Sequence, residues 1–168
     1  MTFWLIVLIF HENAQKLIEA LMFLFHGLLM REKKILIVDD DSVNLKILTN
    51  ILDNNDYSII QASGGLEAVK MAKNFHPDLI ILDIVMPDID GGEVANILKN
   101  DPSTKNIPII FLSSLIKKEE EKYSSKRDGI YLMSKPYNRD ELIRITRQQL
   151  FVGGQIAKEE GKKNVSYL

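Results

Sequence analysis

The chain has 168 residues, 46% hydrophobic and 26% charged, enough for one domain with a sizeable core. Its 21 Lys and Arg against 23 Asp and Glu leave a formal charge of −2, too near neutral for a nucleic-acid footprint. The absence of cysteine excludes thiol catalysis, disulfides and cysteine-ligated metal, and fits a reducing, cytoplasmic setting.

Residues 1–29 stand apart as an apolar extension. MTFWLIVLIF is apolar, HENAQK is polar, and the stretch from Leu17 to Met30 is apolar again. Neither run reaches the roughly 18 residues of a membrane span, and Lys16 and Glu19 interrupt a longer one. The basic start and small-residue cleavage site of a signal peptide are missing. Three readings stay open: a helix lying on a membrane or a partner, a segment packed on the domain, or an upstream stretch ahead of a start at Met30.

From Lys34 onward strands alternate with helices. ILIV at 35–38 reads as a buried strand. Residues 42–54 place Leu45, Leu48 and Leu52 at helical spacing, with Val43, Ile47 and Ile51 beside them. A second strand is predicted at 57–62 and a second helix at 65–75, with Leu66, Val69 and Ala72 inward. DLIILDIVMPDIDG follows: an aliphatic strand at 79–82, buried on both faces, ends on Asp83. Pro87, Asp88, Asp90, Gly91 and Gly92 then force a loop.

The remaining elements are a short helix at 92–100 stopped by Asp101-Pro102, a strand at 107–112, a charged helix at 115–127, a strand at 130–133, and a last helix at 138–150 with Leu142, Ile145 and Leu150 inward. Residues 30–150 thus form one α/β domain. Five strands alternating with five helices imply a parallel sheet covered on both faces, joined by right-handed crossovers. Residues 151–168 read as a tail or a helix extension, too short for a second domain. His11, His26 and His76 are scattered without metal-ligand spacing and read as incidental surface or boundary residues.

Ligands bind such sheets at the carboxyl ends of the strands, and the chemistry-bearing residues gather there. The first strand ends in Asp39, Asp40 and Asp41, and the third in Asp83. The fourth ends in Ser113-Ser114 and the fifth in Ser134-Lys135-Pro136. Carboxylates brought this close repel unless a cation sits between them, and hard oxygen donors suit Mg²⁺ or Mn²⁺. Asp41 reads alternatively as the cap of the following helix. Acids, a hydroxyl and an ammonium at one rim describe a phosphoryl site with a carboxylate nucleophile.

Residues 33–150 resemble the receiver domain of two-component response regulators, through ILIVDDD, DLIILDIVMPDIDG, IPIIFLSS and LMSKPYN. The resemblance implies a stand-alone, CheY-like receiver, flavodoxin-like and doubly wound, with strand order 2-1-3-4-5. It makes Asp83 the phosphoacceptor and Asp40 a direct Mg²⁺ ligand, with Asp39 acting mainly through water and the Val85 carbonyl completing the protein ligands. Ser113 would be the switch hydroxyl and Lys135 its partner, ahead of a cis bond to Pro136. The implied partners are a sensor histidine kinase or phosphotransfer protein and a downstream target. The target would dock on the face made by the helix at 115–127, the fifth strand and the last helix.

There are departures from the family pattern. The usual aromatic switch position, three before the lysine, holds Leu132, with Tyr131 beside it. Val85 and Leu115 stand where polar side chains can orient a hydrolytic water, which implies slow self-dephosphorylation. A rival reading is a haloacid-dehalogenase-like phosphatase, with Asp39-x-Asp41-x-Val43 as first motif and Asp39 as nucleophile. That family also needs an acidic pair on a strand end beyond the lysine, whereas Asp140 and Glu141 fall in a predicted helix.

Overall fold

A computed structural model describes Lys16 and residues 32–53, 57–115 and 129–151. The chain divides into two compact units, Met1–Glu32 and Lys33–Leu168. The expected extension therefore lies outside the described residues, apart from Lys16, which is helical and exposed.

The second unit runs β1 (Lys33–Val38), α1 (Ser42–Leu52), β2 (Tyr57–Ala62), α2 (Gly65–Phe75), β3 (Leu79–Asp83), α3 (Gly91–Asn100), β4 (Ile109–Ser113) and β5 (Ile130–Ser134). A last helix, α4, covers residues 139–151. All the strand pairings are parallel, in the order β2-β1-β3-β4-β5, the doubly wound flavodoxin-like arrangement. Of the five expected helices, four lie among the described residues; the one at 115–127 falls almost wholly outside them.

Alternation along the strands separates two cores. Leu36, Val38, Ile80, Leu82, Ile109 and Phe111 pack with Ala68 and Ala72 of α2 and Val94 and Leu98 of α3. Ile35, Ile37, Ile81, Ile110, Leu112 and Met133 face the other way, onto Leu45, Leu48 and Leu52 of α1 and Leu142, Ile145 and Leu150 of α4. The central strands are buried on both faces, as the unbroken aliphatic runs require.

The structure corrects details. Leu66 was expected inward, but it is 63% exposed. It sits in the first turn of α2, before the buried stripe formed by Ala68 and Ala72 takes over. The fourth strand begins at Ile109 rather than 107 and includes Ser113. The third includes Asp83, and α3 begins one residue early at Gly91, because the Asp90 carboxylate accepts from Glu93 N–H at 2.8 Å and caps it. His76 ends α2 in the left-handed conformation with φ 46°, its N–H donating to Ala72 O at 3.1 Å.

Candidate functional site

Strand register builds the site. Val38 pairs with Leu82, so the next residues, Asp39 and Asp83, emerge side by side from β1 and β3. Asp83 pairs with Leu112, which sets Ser113 just beyond it, and Ser113 pairs with Ser134, which sets Lys135 beyond that. The Lys135 N–H donates to Ser113 O at 2.8 Å and carries the strand pairing one residue past the sheet.

Three carboxylates meet here. Asp39, Asp40 and Asp83 each offer an oxygen, all within 4.8 Å of one another. Asp39 is 1% exposed and Asp83 8%, whereas Asp40 faces solvent. Both Asp39 oxygens are engaged: Oδ1 accepts from Asp41 N–H at 3.0 Å and from Asn44 Nδ2 at 3.1 Å, and Oδ2 accepts from Lys135 Nζ at 2.9 Å. Lys135 Nζ also lies 3.0 Å from Asp83 Oδ2. Burial works against the Lys135 ammonium, but its hydrogen bonds to Asp39 and Asp83 outweigh it and hold the pKa above the ordinary lysine value. Burial pushes the Tyr137 phenol up; Lys135 pulls the other way, and Asp39 and Asp83 add to the rise.

Asp41 takes the capping role: its Oδ1 accepts from Val43 N–H at 2.8 Å at the head of α1. Ser113 is fully buried, and its Oγ accepts from Leu115 N–H at 3.0 Å. Val85 follows Asp83 into the loop, its N–H reaching Asp83 Oδ1 at 3.4 Å, and its side chain is 54% exposed. The Lys135–Pro136 peptide is cis, in line with the resemblance.

Three further residues shape the site: Asn44, which the sequence pattern does not mark, and Gly91 and Asp88, which it marks only as loop formers. Asn44 steadies Asp39 from the first turn of α1. Gly91 packs so tightly that an added Cβ would strike the Asp83 carbonyl oxygen and approach Ile84 Cα to 2.9 Å. Asp88 accepts from Gly65 N–H at 3.0 Å and Leu66 N–H at 2.9 Å, tying the loop after β3 to α2. The N–H groups of Leu66 and Gly65, joined by that of Ile89, hold the Asp88 carboxyl down to about 2. Tandem glycines in an acid-rich loop hinted at close approach, but nothing local pairs residue 88 with residue 65.

Beside the acids, Ile84, Val85, Met86, Phe111, Leu115 and Leu132 line a groove of about 450 Å³. Leu132 packs against the α2–α3 core, while Tyr131 packs against the α1–α4 core, as neighbours on a strand must.

A match to the response regulator receiver domain spans residues 35–147. The chain belongs to the response regulator receiver family. Receivers are signalling modules of two-component systems. A similar relative is the polar-differentiation response regulator DivK of Brucella ovis, 31% identical over 118 residues that cover 70% of this chain and 96% of DivK. Among solved structures, the receiver domain of a signal transduction histidine kinase from Syntrophus aciditrophicus is 31% identical with a TM-score of 0.61, covering 70% of this chain and 89% of that one. The chemotaxis protein CheY4 of Vibrio cholerae is 26% identical with a TM-score of 0.61, covering 70% of this chain and 98% of CheY4.

Proposed function

We propose that residues 30–150 form a phosphorylation switch, in which Asp83 accepts a phosphoryl group from the phosphohistidine of a sensor histidine kinase or phosphotransfer protein. The observation that carries this reading is the convergence of Asp39, Asp40 and Asp83 on one rim, with Lys135 Nζ bonded to two of them.

An Asp83 oxygen attacks phosphorus, the P–N bond of phosphohistidine breaks, and the imidazole leaves with the bond's electrons. Asp83 suits this role because it is the less enclosed of the two, 8% exposed against 1%, and carries fewer donors: Asp39 Oδ1 alone accepts from both Asp41 N–H and Asn44 Nδ2. Asp39, Asp40, Asp83 and the Val85 carbonyl would hold Mg²⁺, or Mn²⁺; the all-oxygen donor set and the solvent-facing Asp40, which leaves room for water, fit such an ion. Bound there, the ion would neutralise the carboxylates and the phosphoryl oxygens. Lys135 supplies a second positive charge beside Asp83, and the Ser113 hydroxyl would turn to donate to a phosphoryl oxygen. The resulting shift of Ser113 and its loop would repack the face that a downstream target reads. We place the protein in the cytoplasm, with residues 1–29 and 151–168 as extensions of the receiver. Among the described residues, no helix is long and apolar enough to cross a membrane.

The phosphatase reading, with Asp39 as nucleophile, gains nothing: Asp39 is the most enclosed acid of the three, and Asp140 and Glu141 lie in α4 rather than on a strand end. Loading with acetyl phosphate and Mg²⁺, followed by borohydride trapping and peptide mapping, tests the assignment. Label on Asp83, lost in Asp83→Ala, is expected; label on Asp39, or label that survives Asp83→Ala, overturns it.

A further inference from the structure

The helix α2 begins without a cap of its own. Its N-cap residue is Gly64, with extended backbone and no side chain to accept from the first turn. The acceptor comes from another element. Asp88 lies five residues beyond Asp83 in sequence, and it spans the Gly65 and Leu66 N–H groups with both carboxylate oxygens. Gly64 leaves the room for this: an added Cβ would sit 3.0 Å from Asp88 Oδ2. Gly65 does the same for the next residue, since its Cβ would approach Ile89 Cγ1 to 2.5 Å. The loop is thus pinned at three places: to Asp83 through Val85 N–H, to Ile84 O through Gly91 N–H at 2.9 Å, and to α2 through Asp88.

We infer that Asp88 is a positioning residue for the metal: its grip on α2 holds the loop from Ile84 to Asp90 so that the Val85 carbonyl is presented to the ion. This rests on the reading of the site given above. Residues that orient a ligand without touching the ion commonly matter by about 10-fold or more in affinity. A residue that only capped α2 would matter to stability and leave the ion alone.

Two variants separate these roles. Asp88→Ala removes both the cap and the tether. Asp88→Ala with Gly64→Asp puts a carboxylate back at the head of α2, in the space the first change vacates, and so restores cap and local charge while leaving the loop untied. Mg²⁺ affinity is measured by calorimetric titration of the full chain, and melting temperature alongside it. The expected result is that Asp88→Ala binds Mg²⁺ about tenfold more weakly and melts lower, and that the double variant regains the melting temperature and not the affinity. Wild-type affinity in Asp88→Ala overturns the inference, and so does recovery of affinity in the double variant. Where Asp88→Ala fails to fold, the double variant against wild type decides in the same way. A wild-type chain that bound no Mg²⁺ would strike at the site assignment instead.

Discussion

The Lys135 ammonium lies 3.0 Å from Asp83 Oδ2 while donating to Asp39 Oδ2 at 2.9 Å. One cation thus bridges acids from two different strands, and Lys135 is only 21% exposed at its side chain.

Removing that bridge leaves the Asp39 carboxylate short of a partner in a buried setting. Lys135→Met is expected to lose about 1–3 kcal/mol in denaturant titration without Mg²⁺. The pH dependence has a definite sign. The folded pKa is raised, so the contribution is fully present below the ordinary lysine value of about 10.4 and is lost as pH climbs through the raised folded value. Wild type should therefore lose stability at high pH more steeply than Lys135→Met; parallel curves would argue against the bridge.

Asp40 and Asp41, adjacent in sequence, should behave differently. Asp41→Ala removes the cap of α1 and is expected to cost about 1 kcal/mol while acetyl-phosphate labelling stays near wild type. Asp40→Ala should raise stability in metal-free buffer, because it takes one charge out of three clustered carboxylates, and should reduce the protection Mg²⁺ gives. For wild type, that protection is expected to reach about 2.7 kcal/mol at one hundred times the dissociation constant. Thermal melts with and without Mg²⁺ read both.

Gly91→Ala pushes a methyl into the Asp83 carbonyl and Ile84 Cα. The expected cost is about 1–3 kcal/mol, with slower labelling of Asp83, because the loop carrying Val85 must shift to make room. The neighbouring Gly92→Ala has only Asp90 Oδ1 near its Cβ, at 3.1 Å, and should be milder on both counts.

Val85 and Leu115 are both exposed beside the site, at 54% and 72%, and neither side chain can orient a water. The aspartyl phosphate should therefore outlast the range of seconds, and Val85→Asn should shorten its lifetime. Following label after removal of acetyl phosphate measures this; decay within seconds in wild type would count against it.

Much of this molecule was legible in its residues, for a physical reason. A parallel sheet buried on both faces demands uninterrupted aliphatic runs, and 35–38 and 79–82 announce themselves; the acids that close those runs then fall on one rim. Asp41 is legible as a helix cap, since Val43, two residues on, opens a helical pattern. Less legible were contacts that only the third dimension creates. Leu66 looks like a core residue because its apolar character fits the stripe, yet the first turn of α2 points it to solvent. Asn44, Asp88 and Gly91 owe their roles to partners on other elements or to backbone approach, and no periodicity encodes either.

The leucine at position 132 has a consequence for how the site is read from outside. An aromatic ring with a hydroxyl could trade a polar contact at the surface for one inside, changing the chemistry that a docking protein meets. Leu132 has no polar tip to trade. On the switch proposed above, residue 132 would report the state of Asp83 through shape, as a groove that widens or fills, and a partner reading that position would be sensitive to fit rather than to a hydrogen bond.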